Sequence, residues 1–148
     1  MKITLKKNLF NKSYLPYLTD YSKRYEIYYG GAGSGKSKYI TQKLIFKCLR
    51  DKRKVLVLRK VNRTTKNSTF QLLLDTLSDW NIYDKCKVNK TDFSIQLPNG
   101  SCFICMGLDD QEKLKSIAGI TDAWLEEATE FTQDDFNQVD LRIRERVE

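Results

Sequence analysis

The chain has 148 residues, 41% of them hydrophobic and 30% charged, with four cysteines, no histidine and a net charge of +7. That length is one domain with room for a real core, and apolar runs of only a few residues exclude a membrane-spanning helix. The N-terminal lysines are followed by no apolar stretch of signal-peptide length, so the expected location is the cytoplasm of the cell that makes the protein.

Charge is unevenly spread. Residues 1–60 carry 16 Lys and Arg against 3 Asp and Glu, a net of +13, whereas residues 61–148 carry 10 against 16, a net of −6. This asymmetry suits a polyanion such as nucleic acid on one side of the fold, and equally a solvated lysine-rich surface. Cys102 and Cys105 have the C-x2-C spacing, but without histidine a four-ligand zinc site would also need Cys48 and Cys86. Reduced, buried thiols are the expectation.

In chain order, residues 1–24 are aromatic and basic without a clear period. Tyr14, Tyr17, Tyr21 or Arg24 could lie over a nucleotide base, or simply cover a sheet edge. Tyr25-Glu26-Ile27-Tyr28-Tyr29 reads as a short strand. Gly30-Gly31-Ala32-Gly33-Ser34-Gly35-Lys36-Ser37 then matches the phosphate-binding loop pattern, Gly-x4-Gly-Lys-Ser/Thr, at every fixed position. Glycines let successive backbone N–H groups curl around a triphosphate, and the following helix N-terminus favours an anion. Lys36 would reach the β- and γ-phosphates of ATP, and the Ser37 hydroxyl would sit on Mg²⁺.

Ile40, Leu44, Ile45, Cys48 and Leu49 recur at helical spacing, and Val55-Leu56-Val57-Leu58 reads as a strand buried on both faces. Strand, helix and strand make a βαβ unit in a parallel sheet. Arg59, Lys60 and Arg63 follow at the strand's C-terminal end, where α/β folds bind ligands. Phe70, Leu73, Leu74, Leu77 and Trp80 give an amphipathic helix. Phe93, Ile95 and Leu97 alternate, Pro98-Asn99-Gly100 turns, and Cys102 to Met106 returns as a hairpin. Asp109 with Glu112 predicts a capped short helix through about Ser116.

Ile120 to Leu125 is a mostly apolar strand interrupted by Asp122 and ending in Glu126-Glu127. In phosphate-loop ATPases a strand beside the loop ends in an acidic residue that holds Mg²⁺, and a following glutamate polarises the attacking water. Glu126 suits the first role and Glu127 the second, although a Glu-Glu pair taken alone is usually solvated surface and gains a purpose from a metal because its charges repel. Thr132 with Asp135 caps a last helix whose expected buried face is Phe136, Val139, Ile143 and Val147. The fold class that follows is α/β: a P-loop NTPase fold with a mostly parallel central sheet flanked by helices and an added antiparallel hairpin.

Taken together, these stretches resemble the large terminase subunits of tailed bacteriophages, of the PBSX-like type. The resemblance rests on Tyr28 to Ser37, on Val55-Leu56-Val57-Leu58-Arg59-Lys60, on Leu97-Pro98-Asn99-Gly100-Ser101, and on Gly107-Leu108-Asp109-Asp110 with Lys113-Leu114-Lys115-Ser116. Trp124-Leu125-Glu126-Glu127-Ala128-Thr129-Glu130-Phe131 is its most particular segment. It implies an ATPase motor that translocates double-stranded DNA into a procapsid, assembled as a homo-oligomeric ring with a portal protein and a small terminase subunit. It also implies a C-terminal nuclease domain that residues 1–148 do not contain, so the chain is expected to be the N-terminal portion of the motor domain, incomplete at its C-terminus. Many relatives have arginine where this loop has Ala32; Lys115, Arg142 or Arg144 could substitute, in cis or from a neighbouring subunit. Two other readings stay open: a fragment that binds nucleotide or DNA without turnover, and a small P-loop phosphotransferase.

Overall fold

The computed structural model describes residues 5–60 and 69–143. Helix α1 (Lys36–Arg50) leads into strand β1 (Lys54–Arg59), and helix α2 (Thr69–Asp79) precedes β2 (Lys87–Asn89), β3 (Ser94–Gln96) and β4 (Cys102–Gly107). Helix α3 (Gln111–Ser116), β5 (Asp122–Leu125) and α4 (Gln133–Asp140) complete the order. The five strands form one sheet in the order β2-β3-β4-β1-β5.

β1 is an interior strand of this sheet, between β4 and β5, and every residue from Val55 to Leu58 is apolar and buried. Its side chains alternate between two cores. Val55 and Val57 join Phe103, Cys105, Trp124 and the α1 and α2 residues Ile45, Cys48, Leu73 and Leu77. Leu56 and Leu58 join Met106, Leu108, Leu114, Ile120 and Val139 on the opposite face. β1 pairs in parallel with β4 (Val57 opposite Cys105) and with β5 (Val57 opposite Trp124).

The sheet is α/β as expected, but less parallel than expected. The β3–β4 hairpin is present, and β2, with one apolar residue in three, adds a further antiparallel strand that the sequence did not signal. Tyr25–Tyr29 is not a strand: it makes no ladder bonds, and Ile27 and Tyr29 are 87% and 92% exposed. Side-chain contacts hold this segment instead. Glu26 accepts from Lys43 Nζ at 2.5 Å and from the Tyr28 hydroxyl, while Tyr25 packs on Phe136 and donates to Asp140. The βαβ unit expected around α1 therefore lacks its first strand.

Local corrections are small. The cap of α3 is Asp110, whose carboxylate accepts from Lys113 N at 3.1 Å, rather than Asp109. Thr132 and Asp135 do form a reciprocal capping box on α4. On that helix Val139 is buried but Phe136 is exposed, because it covers Tyr25 at the surface instead of entering the core. Arg63, Arg144 and Val147 lie outside the described residues. All four cysteines are free, with Cys48 and Cys105 buried, and burial pushes both of those thiols up.

One polar cluster ties α1 to the sheet. Asp122 at the start of β5 accepts from Lys47 Nζ at 2.5 Å, from Arg53 Nη1 at 3.1 Å and from the Thr121 hydroxyl at 2.7 Å. Burial acts to raise the Asp122 carboxyl, but Lys47, Thr121 and Arg53 together hold it below its ordinary value of 3.8. Asp122→Asn leaves both cations without their counter-charge and is expected to cost on the order of 3 kcal/mol at pH 7, read by urea denaturation. Because the folded value is depressed, this stabilisation is complete above about pH 5 and is lost as pH falls through the folded value. The gap between the two proteins should therefore close on acidification, and a gap unchanged down to about pH 2 would count against the ion pair.

Candidate functional site

The glycine loop lies at the C-terminal ends of β1 and β5, where parallel strands present their ligand edge. Gly30, Gly33 and Gly35 have φ of +149°, +76° and +81°, backbone that a side chain rarely adopts. The loop closes on its own lysine: Lys36 Nζ donates to Gly30 O at 2.7 Å, Gly31 O at 3.0 Å and Ser34 Oγ at 3.2 Å. Gly35 caps α1 with no side-chain hydrogen bond, and no acidic residue sits in the first turn, so the helix dipole is left to favour an anion. Gly31 is informative in another way. Its φ is not positive and a Cβ there would meet nothing within 4 Å, so neither backbone nor neighbours require glycine.

Ser37, in the first turn of α1, lies beside the Glu126 carboxylate just beyond β5 and acts to lower its pKa. Glu126 is fixed to the sheet by its own N–H, which donates to Leu58 O at 2.9 Å. Arg59 Nε lies 2.7 Å from Glu126 Oε2, at ion-pair distance though not in hydrogen-bond alignment, with both side chains largely buried. Burial pushes the Glu126 carboxyl up; Arg59 opposes this, Glu127 and Glu130 add to it, and Ser37 opposes it again. A hydroxyl and a carboxylate form a hard oxygen donor set of the kind Mg²⁺ takes together with substrate phosphates. No group of three or more Asp, Glu, Cys or His residues able to hold a metal occurs among the described residues. Any cation here would rely on Ser37, Glu126 and ligand oxygens.

Glu127 follows in the left-handed conformation, φ +57°, and is exposed. Ala32 is likewise exposed in the loop. Of the four residues that might have covered a base, one reaches the loop: Tyr14 stacks on Tyr39 (4.4 Å, 11°), and its hydroxyl donates to Ser34 O at 3.3 Å. Tyr17 is exposed, Tyr21 is ringed by Lys43, Lys47 and Arg50, and Arg24 pairs with Asp140 at 2.8 Å. Among the candidate arginine substitutes, Arg142 Nη1 donates to Lys115 O at 3.0 Å. Lys60 pairs with Asp135 of the α4 capping box.

The ion pair of Arg59 with Glu126 was not foreseen, since a cation at that strand end reads equally as a contact for phosphate or DNA and as a solvated side chain. Its signal lay in the strand lengths. Leu58 is opposite Leu125, so the next residues of two parallel strands, a cation and an acid, must meet.

A family model described as phage terminase large subunit matches residues 22–148. The chain is similar to the PBSX phage terminase large subunit of Bacillus subtilis (strain 168), 30% identical over 134 residues that cover 90% of this chain and 31% of that protein. It is also similar to the large terminase subunit of Bacillus phage SPP1, 31% identical over 120 residues, 77% of this chain and 28% of that protein. The chain thus spans about a third of the length of these curated relatives.

The loop geometry separates its glycines. Gly33→Ala forces a side chain into left-handed backbone and is expected to cost about 1–2 kcal/mol, whereas Gly31→Ala should change stability by less than about 0.5 kcal/mol. Denaturant unfolding of the two variants measures the difference, and equal losses would contradict the loop conformation.

Proposed function

The chain belongs to the phage terminase large-subunit family, and from that premise we propose that it is the ATP-hydrolysing part of a motor that drives double-stranded DNA into a phage procapsid. The observation that carries this reading is the proximity of Ser37 to the Glu126 carboxylate, two residues 89 positions apart that belong to two separate motifs. Each motif alone also fits a glycine turn or a solvated acidic pair; their proximity supports the nucleotide site.

In the proposed reaction Lys36 exchanges the Gly30 and Gly31 carbonyls for the β- and γ-phosphate oxygens, and the backbone N–H groups of Gly31 to Ser37 line the phosphates. Ser37 and Glu126 hold Mg²⁺, which when bound neutralises charge on the phosphate oxygens. Glu127 accepts a hydrogen bond from the attacking water and orients it in line with the γ-phosphate. Its exposure leaves the carboxylate accessible to that water. Tyr14, already on Ser34, is placed to border the base.

The motor reading carries further proposals with it: a homo-oligomeric ring, a portal protein, a small terminase subunit and action in the host cytoplasm. No helix among the described residues is long and apolar enough to cross a membrane. The basic N-terminal half supports a DNA partner. A second reading, nucleotide binding without turnover, is favoured by one observation: the segment before the loop, Tyr25–Tyr29, does not enter the sheet and so does not brace the loop from that side.

Phosphate release with and without double-stranded DNA decides between the two. Lys36→Ala should abolish nucleotide binding. Glu127→Gln should retain it while slowing turnover by roughly 10²–10⁴-fold. DNA-stimulated release in the wild type supports the motor, and tight Mg-nucleotide binding with no release under either condition supports the second reading.

A further inference from the structure

The cluster around Glu126 contains one side chain that the proposed hydrolysis does not use. Glu126 has two carboxylate oxygens in unlike surroundings. Oε2 is completely buried and lies 2.7 Å from Arg59 Nε. Arg59 itself ends β1, its side chain 16% exposed against 12% for Glu126, so this is an ion pair closed off from solvent.

We propose that Arg59 is a positioning residue for the divalent-cation site: it clamps the inner oxygen of Glu126 and leaves the second oxygen turned toward Ser37 and the cation. This rests on the nucleotide-site reading and deepens it. Arg59 acts through Glu126, as an outer partner of a metal ligand does. Two features make the clamp rigid. The parallel register places Leu58 opposite Leu125, and the Glu126 N–H is already bonded to Leu58 O. The next residue, Lys60, grips Asp135 of the same descending segment, so Arg59 cannot swing away without disturbing that contact.

The test is binding, not turnover. A fluorescent ATP analogue is titrated onto the 148-residue chain with EDTA and then at increasing MgCl2. In Arg59→Gln the Mg²⁺ concentration giving half the metal-dependent gain in affinity should rise roughly 10- to 100-fold, while affinity in EDTA stays as in the wild type. Arg59→Lys, which keeps the charge but not the Nε contact, should fall between the two and serves if the glutamine variant does not fold. In a Glu126→Gln background, Arg59→Gln should add nothing, whereas a merely structural role would add its effect again. An unchanged Mg²⁺ midpoint in both Arg59 variants, or additivity with Glu126→Gln, overturns the proposal while leaving the nucleotide site standing. A wild type whose nucleotide binding ignores Mg²⁺ overturns the cation site and the clamp, and one that binds no nucleotide under either condition overturns the nucleotide-site reading as well.

Discussion

Helix α1 is fastened to strand β5 at both ends, and the rest of the site depends on that attachment. Ser37 in its first turn meets Glu126 just past the end of β5, and Lys47 near its last turn meets Asp122 at the start. The spans agree: the ten residues from 37 to 47 rise about 15 Å in a helix, and the four from 122 to 126 cover about 13 Å in a strand. α1 therefore lies along β5 in the opposite sense, with its N-terminus at the strand's ligand edge. Because the Lys47–Asp122 contact is polar and directional, it fixes the axial position of the helix, which the apolar contacts of Ile45 and Cys48 with the core leave freer to slide.

The same period-2 logic extends to β1. Arg53, Val55, Val57 and Arg59 share the face that looks toward α1, as do Asp122, Trp124 and Glu126 on the neighbouring strand. Each face reads charge, apolar centre, charge, and the two match acid to arginine: Arg53 with Asp122, Arg59 with Glu126. A one-residue slip of β5 against β1 would bury both acids on the far core beside Leu56 and Leu58, away from any arginine. The terminal ion pairs thus specify register as well as contributing stability, and correct register is what delivers Glu126 to Ser37.

Much of this was legible in the sequence, where the period of apolar residues was unambiguous. β1, α1, α2, the β3–β4 hairpin and the Thr132–Asp135 capping box all follow from local pattern. What failed were inferences about partners. Tyr25–Tyr29 has strand composition, but composition cannot say whether a neighbouring edge is available, and here Glu26, Tyr28 and Tyr25 find side-chain partners on α1 and α4 instead. Phe136 sits at a core-facing spacing yet covers Tyr25 at the surface. Asp122 looked like an interruption of an apolar strand because its counter-ions, Lys47 and Arg53, are 75 and 69 residues away. The acidic pair was found, but the arginine that holds one of its members was visible only once the two strands were laid side by side.

The adjacent carboxylates Glu126 and Glu127 are kept apart by the backbone itself. A strand continuing straight would place them on opposite faces of the sheet, with Glu127 directed over the Leu58 side. Instead Glu127 turns into left-handed backbone, at a cost of about 1–2 kcal/mol for a residue with a Cβ, and the chain leaves the sheet for the short helical turn at Ala128–Glu130. Such a conformation persists where its surroundings over-determine it. Here they do, since consecutive residues at the end of β1 hold the departing segment on either side of the turn, Arg59 at Glu126 and Lys60 at Asp135. The position of Glu127 is therefore set less by contacts of its own than by the two cations that bracket it.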